Sequence, residues 1–303
     1  MAITPVTGTN SVSDALGAAV DAIAAAGVDT ARLDAELLLG AATGWDRAQI
    51  AAGPDLRLPV GSSRAFAAMV RRRVRREPVA YILGRKGFRR IELLVDRRVL
   101  IPRPETELLV DEALSLSRQA EPEPFNVLDV GTGSGAIALA IADEIPRAHV
   151  VAIDTSMDAL GVTVTNAERL GLSTRLDVVS RGISSLPPGG PDGEPFDLVL
   201  ANLPYVRDSE WQGLEPEIRE YEPREALVAG PTGFEAIEAL LAALRGPVGL
   251  PAAIALEVAA GQAERVAELA GATGFTSTEV RRDLAGIERV VVGTRAINES
   301  SPV

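Results

Sequence analysis

The hydrophobic positions of the first 80 residues recur at helical spacing. "SVSDALGAAVDAIAAAGV", "DTARLDAELLLGAATG" and "SRAFAAMVRRRVRR" each place apolar side chains three or four positions apart, and Ser11 stands where an N-cap is expected. Residues 1–80 are therefore predicted to form a small all-helical N-terminal domain. The first ten residues are expected to be a disordered start.

From residue 81 the pattern changes to alternation. "GFRRIELLVDRRVLIPRP" predicts a hairpin or extended linker over 81–104. Apolar strand-like runs and amphipathic helices then alternate over 105–296, which predicts a Rossmann-like α/β domain with a mostly parallel sheet. We count seven strand-like runs, and we expect a disordered tail over 297–303. The runs are "NVLDVG", "HVVAID", "RLDVVS", "FDLVLAN", "AAIALEV", "STEVRRD" and "RVVVGTR".

The amino-acid composition limits the kinds of catalytic and metal sites that the protein can form. The 303 residues include no cysteine and one histidine, His149, so thiolate chemistry and multi-histidine metal sites are disfavoured. The absence of a long apolar run and of a signal peptide predicts a cytoplasmic protein with no membrane partner. The net charge is −12, but residues 1–103 are net basic and the remainder strongly acidic. An acidic second part is a poor partner for nucleic acid.

A glycine-rich turn, "DVGTGSGAIALA", joins a predicted strand to a predicted helix. Gly131, Gly133 and Ala136 fit the loose dinucleotide fingerprint. Gly131, Gly133 and Gly135, preceded by Asp129, instead fit the pattern of S-adenosylmethionine methyltransferases. The turn does not separate these two cofactors.

The next strand ends at Asp154, where a carboxylate can accept both hydroxyls of a ribose. An acid at a strand end can also cap the following helix. Both interpretations of Asp154 are kept at this point.

"ANLPYV" follows the fourth strand of the domain and so falls at the carboxyl edge of the sheet, where ligands of open α/β sheets bind. An amide or aromatic –NH2 group is a weak nucleophile that becomes positively charged on methyl transfer. The side-chain oxygen of Asn202 and the carbonyl of Leu203 can accept its two N–H groups and stabilise that charge. Pro204 favours an extended backbone at Leu203, and Tyr205 supplies a flat face.

These residues, with "REPVAYILGRKGF", "LDAELLLG" and "LIPRPETELLV", carry a resemblance to the release factor glutamine methyltransferases over about residues 12–296. The resemblance implies a class I methyltransferase domain over 105–296 and a substrate-recognition role for the helical domain. It also implies S-adenosylmethionine as cofactor and the Gly-Gly-Gln loop of peptide chain release factors as partner. The implied catalytic and substrate-binding residues are Asn202, Leu203, Pro204 and Tyr205. The implied cofactor-binding residues are Gly131, Thr132, Gly133, Ser134, Gly135, Asp154 and Asn202.

Two departures from the family's usual pattern matter. After the third strand, Arg181 and Gly182 stand where the family usually has an acid near the adenine side of the pocket, so the resemblance implies no acidic contact to the cofactor there. Leu203 stands where the family usually has proline, and the form Asn-Leu-Pro-Tyr is similar to rRNA adenine dimethylases. An adenine-N6 nucleic acid methyltransferase is therefore the alternative.

A basic patch, one acidic residue and the oligomeric state complete the predictions. A basic patch is interpreted mainly as a solvated face, with a docking surface for an acidic partner or RNA as the alternative. It consists of the arginines of 71–76 with Arg85, Lys86, Arg89 and Arg90. Glu257 ends the fifth strand, where it could cap a helix or line the substrate mouth. We expect a monomer.

Overall fold

The computed structural model describes residues 11–120, 124–190, 193–246 and 249–295. The chain forms two compact units. The first contains the residues up to Gly84 together with Pro216–Tyr221, and the second contains Arg85–Glu215 and the chain from Glu222 onward. The division therefore differs from the predicted domains, because the helical part ends at Gly84 and takes in a later segment. The predicted disordered start and the tail over 297–303 lie outside the described residues.

The helical unit is built on helices with clear start and stop signals. The Ser11 side chain accepts a hydrogen bond from Asp14 N at the start of the first helix, and the second ends at Gly44 with φ of 76°. Leu16, Ile23 and Leu38 are among the buried side chains of its core. The helices are α1 (Val12–Ala25), α2 (Ala31–Thr43), α3 (Arg47–Ala52), α4 (Ser62–Val74) and α5 (Val79–Leu83).

A sixth helix of this unit comes from far along the chain: Pro216–Tyr221, which is α9 in chain order. Arg73, whose side chain is 6% exposed, donates to Asp34 at 2.6 Å and contacts Glu217 at 2.8 Å. Arg76 donates to both carboxylate oxygens of Glu217. Tyr221 donates from its hydroxyl to the carbonyl of residue 75. Charge pairing thus binds this segment to the N-terminal helices.

These contacts correct the interpretation of the arginine run. Arg73 and Arg76 bind carboxylates inside the helical unit, and Arg72 pairs with Glu77 at 2.7 Å. In the second unit Arg89 pairs with Asp111 and Glu144, each at 2.6 Å. These four arginines are therefore neutralised within the protein, whereas Arg71, Arg75 and Arg90 are exposed, as the solvated-face interpretation predicts.

The second unit confirms the predicted Rossmann-like fold. The strands of its sheet are β3 (Phe125–Val130), β4 (Ala148–Asp154), β5 (Leu176–Ser180), β6 (Leu198–Ala201), β9 (Ala253–Glu257), β10 (Ser277–Arg282) and β11 (Glu288–Thr294). These seven strands lie in the order β10-β11-β9-β6-β3-β4-β5. Neighbouring strands from β9 to β5 run parallel, while β11 is antiparallel to both β9 and β10.

The central strands β3, β6 and β9 are buried along their whole length. Burial on both faces explains their nearly continuous apolar sequence, since helices cover parallel sheets on both sides. Those helices are α6 (Glu107–Ser117), α7 (Ala136–Glu144), α8 (Met157–Leu170), α10 (Glu235–Leu244) and α11 (Ala263–Thr273).

Two small strand pairs complete the unit. The predicted hairpin is present as β1 (Arg85–Phe88) and β2 (Ile91–Leu94). After the Asn-Leu-Pro-Tyr segment, β7 (Val206–Arg207) pairs in parallel with β8 (Val228–Gly230).

Candidate active site

The register of the sheet aligns four strand ends. Ala201 of β6 pairs with Val130 of β3 and with Leu256 of β9, and Val130 also pairs with Ile153 of β4. The next residue on each strand therefore joins one row across the carboxyl edge, where this fold binds ligands. In sheet order that row is Glu257, Asn202, Gly131 and Asp154.

The turn that follows β3 depends on glycine. Gly131, Gly133 and Gly135 have φ of 78°, 57° and 81°, in the left-handed region that other residues avoid. A Cβ added at Gly135 would also lie 2.9 Å from Leu139 Cδ1 and 3.0 Å from Thr163 Cγ2. These three positions of the turn therefore require glycine for their backbone conformation, and Gly135 also for its close packing against Leu139 and Thr163.

The other two residues of the turn face inward. Thr132 is 5% exposed and donates from its hydroxyl to Asp129 at 2.7 Å, and Ser134 is 2% exposed. Burial raises the pKa of Asp129 to about 7, although the hydrogen bond from Thr132 opposes the shift. Thr132 and Ser134 can therefore offer a ligand their backbone more readily than their side chains.

Asp154 ties the end of β4 to the glycine turn. Its carboxylate accepts from Gly133 N at 3.0 Å and from Ser156 N at 2.8 Å. The N-cap of α8 is Ser156, whose hydroxyl accepts from Ala159 N, so Asp154 is not the helix cap. Each carboxylate oxygen keeps a lone pair for a further donor.

Arg181 and Gly182, the two residues after β5 that depart from the family's usual pattern, lie beside the end of β4. Arg181 N donates to the carbonyl of Asp154 at 3.1 Å, and the Arg181 guanidinium donates to the Ser185 carbonyl at 3.1 Å. A Cβ added at Gly182 would lie 3.1 Å from Thr155 Cγ2. Arg181 and Gly182 thus form a close turn beside the end of β4 and bring no carboxylate to it.

Asn202 has a fixed side-chain orientation. Its Nδ2 donates to Thr106 Oγ1 at 3.1 Å, across 96 positions of sequence. The amide nitrogen is thereby engaged, and Oδ1 remains as the acceptor for another group. Thr106 lies in "LIPRPETELLV", where no local signal indicates this contact with Asn202.

Leu203 packs next to the glycine turn. Its side chain is 4% exposed, and a Cβ on Gly131 would lie 3.5 Å from its Cδ2. Within the described part of the chain, no residue donates a hydrogen bond to the Leu203 carbonyl. The backbone after it is held because the amides of Tyr205 and Val206 both donate to the Leu227 carbonyl.

Tyr205 is an uncharged aromatic at this site. Burial raises the pKa of its hydroxyl to about 12, and the nearby Glu257 carboxylate adds to the shift. Pro204, beside it, is partly exposed. Together they give the segment a stiff, largely apolar end.

Two further carboxylates lie near the segment: Glu257, for which the sequence left open a helix cap or a place lining the substrate mouth, and Glu222, to which it assigned no role. Glu257 is 2% exposed and its Oε2 has no hydrogen-bond partner among the described residues; burial raises its pKa to about 7, although the nearby Thr106 hydroxyl opposes the shift. Glu222 is 6% exposed, forms an ion pair with Arg103, and accepts from Ile101 N at 3.1 Å. Glu222 therefore secures the chain that leads to Thr106. No local sequence signal indicates either contact, since both partners lie far away in the chain.

His149 lies away from the row of strand ends, paired with Asp177 at 3.0 Å. Among the described residues, no cluster of histidine and acidic side chains could hold a metal ion. Across the same ranges, no helix has both the length and the apolar character needed to cross a membrane.

Comparison with known proteins gives two domain matches. Residues 14–84 match the model of the PrmC N-terminal domain, and residues 127–221 match the model of a methyltransferase domain.

Full-length relatives are similar over nearly the whole chain. The release factor glutamine methyltransferase of Caulobacter vibrioides is 39% identical over 285 residues, covering 93% of this chain and 96% of that protein. The release factor glutamine methyltransferase of Chlorobaculum tepidum is 40% identical over 265 residues, covering 86% of this chain and 90% of that protein.

Among solved structures, the catalytic domain of hMettl16 in complex with MAT2A 3'UTR hairpin 1 has a TM-score of 0.54 at 12% identity. The match covers 78% of this chain and 83% of that chain. At this level of identity the likeness concerns the fold.

Proposed function

The chain belongs to the family of release factor glutamine methyltransferases, and from this premise we propose that Asn202 and Leu203 hold the glutamine amide that it methylates. The protein is an S-adenosylmethionine-dependent protein-glutamine methyltransferase. Its proposed substrate is the glutamine of the Gly-Gly-Gln loop of peptide chain release factors, and the product carries the methyl group on the side-chain nitrogen, N5.

The residues present fit the cofactor. S-adenosylmethionine, when bound, supplies a methyl group that is electrophilic because it is attached to a positively charged sulfur. The glycine turn has φ of 78°, 57° and 81° at Gly131, Gly133 and Gly135, and these three residues carry no Cβ that would obstruct the approach of a ligand to the backbone. The Asp154 carboxylate next to it has lone pairs left for ribose hydroxyls. We assign cofactor binding to the turn Gly131–Gly135 and Asp154.

The amide nitrogen of glutamine is a weak nucleophile because its lone pair is delocalised into the carbonyl. It gains positive charge as its bond to the methyl carbon forms and the carbon–sulfur bond breaks. Asn202 Oδ1 and the Leu203 carbonyl accept its two N–H groups, orient the lone pair and stabilise the charge as it develops. The released proton leaves to water, and no general base is assigned.

The observation that carries this proposal is the hydrogen bond from Asn202 Nδ2 to Thr106. Because the amide nitrogen is engaged there, the oxygen of Asn202 is the atom available to the substrate. Pro204 and Tyr205 support the planar amide group, and Tyr205 adds no charge because its pKa is raised to about 12.

The test is methyl transfer from radiolabelled S-adenosylmethionine to a purified release factor and, separately, to ribosomal RNA. Label should enter the release factor, and mass spectrometry should locate it at the Gly-Gly-Gln glutamine. A release factor with that glutamine replaced by glutamate is the matched control. Label on the RNA and none on the release factor would contradict the proposed substrate and favour the adenine-N6 alternative.

Which cofactor the protein binds can be tested without measuring methylation, through the unfolding temperature. A ligand selective for the native state stabilises it by about 2.7 kcal/mol when present at a hundred times its Kd. S-adenosylhomocysteine should therefore raise the unfolding temperature. NAD should not, and protection by NAD alone would contradict the methyltransferase assignment.

A further inference from the structure

The turn between β10 and β11 exposes four nonpolar residues in succession. Leu284 is fully exposed, Ile287 is 38% exposed, and Ala285 and Gly286 between them are exposed as well. Single exposed apolar residues are ordinary on a protein surface, but an uninterrupted run of this kind is unfavourable unless it has a function. These four residues, called the apolar tip below, therefore need a reason beyond the fold.

Hydrogen bonds within the turn hold the apolar tip in one conformation. The Asp283 carboxylate accepts from Ala285 N and Ile287 N, each at 2.9 Å, and from Arg289 Nε at 2.9 Å. The backbone amide of Asp283 donates to the Ile287 carbonyl at 2.8 Å, and Gly286 N donates to the Asp283 carbonyl at 2.9 Å. A partner that covers the tip does not have to order it first, which removes part of the entropic cost of binding.

The register of the sheet places the apolar tip at the edge that carries Asn202. Glu257, the last residue of β9, pairs with Val290 of β11, so Glu288 lies two residues farther out, about 7 Å past the row of strand ends. In the sheet, β11 lies two strands from β6 and β10 lies three strands from it. Because neighbouring strands are about 4.8 Å apart, the tip lies about 10 to 15 Å to one side of Asn202.

A protein substrate bound at Asn202 extends over this distance. A specific interface between two proteins takes about 800 Å² from each partner, which corresponds to a disc with a radius of about 16 Å. The glutamine that is methylated belongs to a protein, and its side chain has to reach the carboxyl edge of the sheet. The rest of that protein therefore covers the surface around Asn202 as far as the apolar tip.

The charges of the hairpin favour a nonpolar contact there. Each of the three arginines on β10 and β11 is paired with a carboxylate at 2.5–2.9 Å: Arg281 with Glu112 and Glu279, Arg282 with Glu288, and Arg289 with Asp283. The two strands, which the structure describes in full, therefore offer a phosphate backbone no unpaired cation. What the tip presents to a partner is nonpolar surface.

We propose that the apolar tip is a docking surface for a nonpolar patch of the release factor outside the loop that carries the methylated glutamine. The inference rests on the proposed placement of the substrate amide at Asn202. An extended chain advances about 3.3 Å per residue, so two residues on either side of the glutamine reach only about 7 Å and fall short of the tip. The tip therefore contacts parts of the factor that a short peptide lacks, and it contributes affinity without touching the reacting atoms.

The experiment measures the dissociation constant of the release factor for the enzyme saturated with S-adenosylhomocysteine, by titration calorimetry. Leu284→Ser should weaken binding by about tenfold, since burial of a leucine side chain contributes at least that factor. Leu284→Met keeps a nonpolar side chain of similar size and should bind like the wild type. Val164→Ser, at a 42% exposed nonpolar position on α8, is the matched control and should also keep the wild-type affinity. The unfolding temperature of Leu284→Ser should match that of the wild type, because the side chain is fully exposed.

Substrate length separates docking from an effect on the site itself. Leu284→Ser should raise KM for the release factor by about tenfold and leave kcat nearly unchanged, because it removes binding that is equal in the ground state and the transition state. For a pentapeptide centred on the glutamine, kcat/KM should be the same in Leu284→Ser and in the wild type. An equal loss on the peptide would mean that the turn supports the site, and docking would be overturned.

The remaining outcomes are distinguishable. Wild-type affinity for the release factor in both Leu284→Ser and the double variant Leu284→Ser/Ile287→Ser overturns the inference. Unchanged affinity for the factor together with weakened self-association in sedimentation, or with weakened binding of ribosomal RNA, assigns the tip to another partner and overturns it as well. If the wild type leaves the release factor unmethylated, the proposed function fails, while the calorimetric titration still decides whether the tip docks the factor.

Discussion

Replacement of Asn202 by alanine tests the amide clamp directly. The substitution removes Oδ1, which accepts from the substrate nitrogen most strongly once that nitrogen is charged. Loss of such a preorganised group costs about 3 kcal/mol in the transition state, or roughly a hundredfold in rate. Among the residues that the structure describes, the same change breaks one side-chain hydrogen bond, Nδ2 to Thr106 at 3.1 Å.

The two effects therefore differ in size. A single hydrogen bond contributes about 1 kcal/mol to stability, which lowers the unfolding temperature by roughly 2–4 °C for a unit of this size. Affinity for S-adenosylhomocysteine should change little, because the assigned contacts lie on the glycine turn and Asp154. The rate should thus fall far more than either stability or cofactor binding.

The assay is single-turnover methylation of a release factor at saturating cofactor, with cofactor affinity and unfolding temperature measured on the same preparation. Asn202→Asp is the matched variant, since it keeps an acceptor of the same shape but loses the donor to Thr106. A near-normal rate for Asn202→Ala would refute the clamp and return "ANLPYV" to the role of a strand-ending turn. A rate loss matched by an equal loss of cofactor affinity would move Asn202 from the substrate to the cofactor.

Three further predictions concern stability. The pKa of Glu257 is raised from 4.5 to about 7, so as pH rises the unfolded state loses this proton before the folded state does, and the stability of the wild type falls between these two pH values. Glu257→Gln should therefore be more stable than the wild type by up to about 3 kcal/mol above pH 7 and equal to it below pH 4.5, as measured by denaturant unfolding. Asp34→Ala should cost about 3–5 kcal/mol in calorimetry because it removes a carboxylate from the buried Arg73, whereas Arg71→Ala, at an exposed position, should stay within about 0.5 kcal/mol. Gly135→Ala should lower stability by roughly 2–4 kcal/mol because a Cβ meets two side chains at 3.0 Å or less with φ of 81°, and a wild-type unfolding temperature for it would contradict the geometry of the turn.

The strand ends were predictable because apolar runs and turn residues are local signals. A strand such as "NVLDVG" followed by glycines has few alternatives, and parallel strands bring their carboxyl ends to one edge. Gly131, Asp154 and Asn202 are therefore predictable neighbours at that edge of the sheet.

Contacts between distant residues were not predictable in the same way. The orientation of Asn202 depends on Thr106, 96 positions earlier. The arginines of α4 read as solvated because their partners, Asp34 and Glu217, lie 39 and 144 positions from Arg73. Spacing along a helix shows which residues share a face, but it does not show which distant element will neutralise them.

The discontinuity of the helical unit limits how it can be exchanged. Its N-terminal stretch ends at Gly84, yet Glu217, one of the two carboxylates on the buried Arg73, arrives more than a hundred residues later. A fragment that stops at Gly84 would keep Asp34 but lose Glu217, the second of the two carboxylates that pair with Arg73. The N-terminal helices alone therefore do not make up the complete helical unit. A chimera that swaps only the N-terminal helices would have to carry the α9 segment with them, and selection on α4 and on residues 216–221 would act on one shared structure.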